Sequence, residues 1–168
     1  MTVPTADLWH HFGRARRAAD RTVPGTFRWN WGPDGGPGSE VLGDITGLCV
    51  GDFGAGSARH AAHLAVHHQP ACIVAVDVSP AQHALAEDLY GHLAPRLRLL
   101  RCDVPRHLHA MAGAYGVLYS VFGAIDFTAP RELLPAASAA LRPGGRLVFS
   151  TLGHHLGGKP AHPDVRTP

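Results

Sequence analysis

Lysine is nearly missing from this chain: of 15 basic residues, Lys159 is the one lysine and the rest are arginine. No G-x-x-x-x-G-K-S/T sequence occurs, which excludes the lysine-bearing loop that cradles a nucleoside triphosphate. Charge of one sign is lacking too. The 15 basic and 13 acidic residues leave a formal charge of +2, too small to imply a nucleic-acid or membrane surface. No apolar run approaches the roughly 18 residues of a membrane span, and the amino end has no charged segment followed by an apolar core. A cytoplasmic location is the expectation. Cysteine is scarce: Cys49, Cys72 and Cys102 fall in or just after apolar runs without metal-type spacing, which predicts buried, reduced thiols and no metal. No internal repeat occurs, and 168 residues with 45% hydrophobic content suit one domain with its own core.

What the chain does have is concentrated in Leu48–His60, where a short apolar run ends in Asp52-Phe53-Gly54-Ala55-Gly56 and a helix follows. The run suits a buried strand, the glycines allow a turn that side chains would block, and Ala61, Ala62, Leu64 and Ala65 carry the helix. A ligand can then approach the backbone closely. A dinucleotide fingerprint would need a glycine where Arg59 stands, so a nicotinamide enzyme is the weakest of the readings. A second apolar run, Cys72–Val76, closes on Asp77, and a third ends in Cys102-Asp103-Val104. From Thr46 onward strands and helices alternate, predicting an α/β fold with a mostly parallel sheet, helices on both faces and five recognisable strands. In such sheets ligands bind at the carboxyl ends of the strands, where these three acids converge.

With these residues in this order, the chain resembles the class I S-adenosylmethionine-dependent methyltransferases of the bacterial small-molecule type. The resemblance implies a Rossmann-like fold and S-adenosylmethionine as cofactor. It assigns Asp52, Phe53, Gly54, Ala55 and Gly56 to the methionine part, Asp77 and Val78 to the ribose, Cys102, Asp103 and Val104 to the adenine, and Ser120 to the strand end beside the sulfonium. Leu141–Ser150 looks like the family's turn into its fifth strand. The family's usual third glycine is Ala58 here, and its last two strands are not recognisable, so the sheet looks unfinished. A ribose offers two neighbouring hydroxyls to one carboxylate, which suits Asp77, and a sulfonium prefers acidic and carbonyl walls to a lysine cradle.

Three segments are expected: an N-terminal helix and aromatic, Gly/Pro-rich lid over 1–45, the cofactor-binding domain over 46–152, and a flexible tail over 153–168. The helix spans Thr5–Ala19, with Arg14, Arg16, Arg17 and Arg21 on its solvated side, and Trp29 and Trp31 pack on the core or cover the cofactor. His60, His63 and His67 lie on the solvated side of their helix. No catalytic residue is assigned; His10, His11, His154 and His155 are candidate bases. Neither N/D-P-P followed by an aromatic nor a Pro-Cys pair follows the fourth strand, arguing against nucleic-acid bases as acceptors. Phe122, Ile125 and Phe127 suit a small, partly apolar acceptor. The alternative function is a non-catalytic or partner-completed cofactor-binding module, with a second copy or another protein over the fifth-strand edge.

Overall fold

The computed structural model describes residues 22–30 and 36–151. The expected helix at Thr5–Ala19, Trp31, the candidate bases His10, His11, His154 and His155, and the tail lie outside the described residues.

Five strands form one sheet in the order β3-β2-β1-β4-β5. They are β1 (Cys49–Phe53), β2 (Cys72–Asp77), β3 (Leu97–Arg101), β4 (Tyr115–Val121) and β5 (Leu141–Ser150), and every pairing is parallel. The connecting helices are α1 (Arg59–His67), α2 (Pro80–Tyr90), α3 (Val104–His109), the one-turn α4 (Ala124–Phe127) and α5 (Pro130–Ala140). A parallel pair needs a crossover, and each crossover lays a helix on one face of the sheet, so the strands are covered on both sides. One core layer joins Val50, Ile73, Ala75, Val117 and Tyr119 to α1 and α2; the other joins Val74, Val76 and Leu118 to α3 and α5. Chain order reverses between β1 and β4, and ligands of open α/β sheets bind outside the carboxyl ends of the strands at such a point.

Helix starts follow their side chains. Ser79 accepts from the Gln82 N–H at 3.4 Å with Pro80 in the first turn of α2, and Asp103 accepts from the Arg106 N–H at 2.9 Å to open α3. Within Leu141–Ser150, which resembles the family's turn into its fifth strand, Pro143-Gly144-Gly145 lies inside β5 and not ahead of it. Tyr115 pairs with Leu141 and Val117 with Arg146, so residues 142–145 form a bulge, with Gly144 at φ 75°. β4 begins at Tyr115, opposite Leu141 at the start of β5.

The expectation of three buried, reduced thiols is corrected. Cys49 and Cys72 are half-buried, stand opposite each other in the β1–β2 ladder with Cα atoms 4.8 Å apart, and are joined as a disulfide. Spacing along the chain does not reveal this, because the pairing depends on strand register. Cys102 is free and half-buried. Among the described residues, no helix is long and apolar enough to cross a membrane.

Candidate functional site

The loop after β1 folds over the end of β2. Gly54 and Ala55 donate to the Val76 carbonyl at 2.9 and 3.1 Å, and Gly56 donates to Asp77 Oδ2 at 2.8 Å. Asp77 Oδ1 accepts from the Ser79 N–H at 2.8 Å. An ionised carboxylate has about four acceptor positions, so Asp77 keeps acceptor capacity beyond its backbone bonds. Burial raises its pKa, while the backbone bonds from Ser79 and Gly56 pull it down.

Asp52 is 3% exposed at the end of β1. The Tyr119 hydroxyl donates to its Oδ2 at 2.8 Å from the neighbouring strand. Burial pushes Asp52 up to about 7; the Tyr119 bond works against that and the Asp77 charge adds to it. Burial and the Asp52 charge push the Tyr119 phenol well above its usual value, so it remains a donor.

Gly54 has φ 74°, and a Cβ there would run into the backbone of Gly123 and Ala124, so the turn into α4 fits against a bare glycine. Gly56 has φ 56°, but a Cβ there would meet nothing nearer than Gln82 Oε1 at 3.8 Å, leaving open space beside the backbone. Ala58 also sits in the left-handed region, φ 58°, where the resembled family usually has glycine. Ser120 is buried: its hydroxyl donates to the Phe53 carbonyl at 2.8 Å and accepts from the Ile125 N–H at 3.4 Å, tying β1 to the turn into α4.

The sheet thus brings Asp52, Phe53, Gly54, Ala55, Gly56, Asp77 and Val78 together at one end. Cys102, Asp103 and Val104 follow β3, the strand beside β2, and Ser120 is the penultimate residue of β4, on the other side of β1. Val78 is 59% exposed immediately after Asp77, whereas Phe53 is buried and offers the site only its backbone. Asp103 is exposed, and Val104 is buried. Burial, then the charge of Asp103, raises the Cys102 thiol pKa.

One expectation about α1 fails. His63 is buried and His60 half-buried, because residues 23–29 lie across the helix face read as solvated; His67 alone of the three is exposed. His63 Nδ1 donates to the Pro24 carbonyl at 2.8 Å, and the His60 ring lies 4.6 Å from that of Phe27. Burial holds His60 down at about 4 and lowers His63 as well, so both are neutral at pH 7. Trp29 packs on the core, 7% exposed, and its indole donates to the Gly38 carbonyl at 2.8 Å. The Tyr119–Asp52 bond was the other feature missed; its signal is a hydroxyl inside an otherwise apolar run, opposite a buried acid. Among the described residues no cluster of three or more His, Cys, Asp or Glu could hold a metal. A cleft of about 590 Å³, lined by Val66, His92, Pro95 and Arg96, opens at the amino ends of β2 and β3, away from these residues.

The model of a methyltransferase-domain family matches residues 50–145. No curated protein matches the chain. Among solved structures, an S-adenosylmethionine-dependent methyltransferase from Mesorhizobium loti is 26% identical with a TM-score of 0.56, covering 66% of this chain and 49% of its own. Two others are likenesses of fold. Haemonchus contortus phosphoethanolamine N-methyltransferase 2, in complex with S-adenosyl-L-methionine, is 21% identical with a TM-score of 0.60, covering 67% of this chain and 26% of its own. Geranyl diphosphate C-methyltransferase from Streptomyces coelicolor A3(2) is 18% identical with a TM-score of 0.58, covering 64% of this chain and 39% of its own. The chain therefore matches about half or less of the length of each.

Proposed function

The chain belongs to the methyltransferase-domain family, whose cofactor is S-adenosylmethionine, and from this we propose that it transfers a methyl group to a small-molecule acceptor. The observation that carries the reading is Asp77. Its bonds from Gly56 and Ser79 draw the Gly56 loop onto the end of β2, and its remaining acceptor capacity suits ribose hydroxyls, beside a backbone that no Cβ obstructs. The residues present therefore fit the cofactor. Asp52, Phe53, Gly54, Ala55 and Gly56 would hold its methionine part, Val78 would offer an apolar contact, and Cys102, Asp103 and Val104 would border the adenine. Ser120 would act from behind, by holding Phe53 and Ile125.

When bound, the cofactor supplies an electrophilic methyl group on a sulfonium. The protein's contribution is alignment: an in-line displacement gains much of its rate from holding the partners in geometry, and a base is optional. Half-buried Phe122 and exposed Phe127, at the turn after β4, support a small, partly apolar acceptor.

Calorimetric titration with S-adenosylmethionine and S-adenosylhomocysteine, with a nicotinamide dinucleotide as control, tests the reading. Micromolar binding of the first two alone is expected; absence of binding by folded protein would sink it. A partner-completed module is a second reading, motivated by Phe149, 45% exposed on β5 at the end of the strand order. Native mass spectrometry separates the two, since a persistent monomer that turns over would remove the second.

A further inference from the structure

Asp52 and Tyr119 form a pair deeper than a ligand-facing acid requires: they are 3% and 0% exposed. They stand opposite each other in the β1–β4 ladder, so their backbones are fixed by strand pairing. Behind the tyrosine ring, Phe27 and Trp29 pack edge-on with centroids 5.6 and 6.2 Å away, which restricts its rotation. We propose that Tyr119 is a positioning residue for cofactor binding: its hydroxyl holds the Asp52 carboxylate in the orientation and charge state that receive the cationic methionine end of the cofactor. This rests on reading the site as one for S-adenosylmethionine.

A buried acid in apolar surroundings keeps its proton, and a protonated acid attracts a cation poorly. Burial and Asp77 drive Asp52 in that direction, and the Tyr119 hydroxyl opposes them. Among the described residues, the other titratable groups around the pair are Asp77 on β2, His83 on α2, which faces Asp77, and His60 and His63 on α1. Phe27 lies between those two histidines and Tyr119, and burial keeps both neutral. Phe27 and Trp29 carry no charge. The hydroxyl is thus the neighbour that favours the ionised acid by direct contact. Binding of a cation then expels a proton from Asp52 near neutral pH, and affinity rises with pH as Asp52 titrates.

Tyr119→Phe keeps the ring and removes the hydroxyl. Titrated with S-adenosylmethionine from pH 6 to 9, the variant is expected to bind about tenfold more weakly at pH 7, with its affinity midpoint moved to higher pH and the gap closing toward pH 9. Unchanged affinity, or an equal loss at every pH with the midpoint unmoved, would overturn the proposal. A carbon-13 NMR titration of the Asp52 carboxyl in ligand-free protein gives a second readout. It should inflect at about 7 in the wild type and higher in the variant. An inflection in the ordinary carboxylate range overturns the proposal even if the cofactor binds. The expected inflection without cofactor binding at any pH overturns the cofactor reading instead, and the proposal falls with it.

Discussion

Gly54 and Gly56 share a left-handed backbone for different reasons, and the difference predicts different mutants. A Cβ at Gly54 collides with the backbone of Gly123 and Ala124, which cannot step aside as a side chain could; at Gly56 the nearest atom is 3.8 Å away. Gly56→Ala should therefore cost only the conformational strain, roughly 1–2 kcal/mol. Gly54→Ala adds overpacking and should cost roughly 2–5 kcal/mol, as read by urea denaturation. Equal costs would show that the turn into α4 gives way. At Asp77, replacement by alanine should weaken S-adenosylmethionine binding by roughly 1–3 kcal/mol through lost charge-assisted hydrogen bonds. Calorimetry decides it, and an unaltered affinity in a folded variant would remove Asp77 from the site. Residues of this kind were legible in the sequence because their chemistry is local: a glycine at a turn, an acid closing an apolar run. Ala58 was legible only as a departure from a pattern, and its φ of 58° gives the physical reason a glycine is the usual occupant.

Elements were legible where their ends carry a cap, as at Ser79-Pro80 for α2, and less so where tertiary contacts decide. β5 shows this: Pro143-Gly144-Gly145 looks like a turn ahead of the last strand, yet pairing with β4 before and after it carries the strand through as a bulge. The face of α1 shows it again. His60 and His63 look like solvated positions until residues 23–29 cover them. That segment is held in two ways of unequal strength. The His63 bond to the Pro24 carbonyl contributes about 1 kcal/mol net, whereas Phe27, 4% exposed among Trp29, Tyr119 and the α1 histidines, carries a burial of several kcal/mol. Phe27→Ala should therefore release the segment, with amide exchange accelerating over residues 23–29 and roughly 3–5 kcal/mol of stability lost. His63→Gln should leave the exchange pattern nearly intact. If His63→Gln opens the segment as far as Phe27→Ala does, the hydrogen bond and not the ring is the anchor.

At the scale of the whole molecule, the buried titrating groups pull stability in opposite directions across the same pH range. Asp52 is raised to about 7, so the folded state holds a proton that the unfolded chain has released; the stability this brings is complete below about 4 and is lost as pH rises to about 7. Asp77, raised by burial, acts in the same sense. His60, lowered to about 4, works the other way: its contribution is complete above about 6.5 and is lost as pH falls toward 4, with His63 reinforcing it. Each limb is on the order of 3 kcal/mol, so in the wild type they largely cancel between about pH 4.5 and 6.5. Asp52→Asn keeps the side-chain volume and an acceptor for the Tyr119 hydroxyl while removing the acid whose pKa is raised to about 7. Its stability should climb by roughly 2–3 kcal/mol from pH 4.5 to 6.5, where the wild type stays nearly flat, as read from urea unfolding at each pH. Parallel profiles for the two proteins would mean that Asp52 titrates at the same pH folded and unfolded, and would count against its burial as a protonated acid.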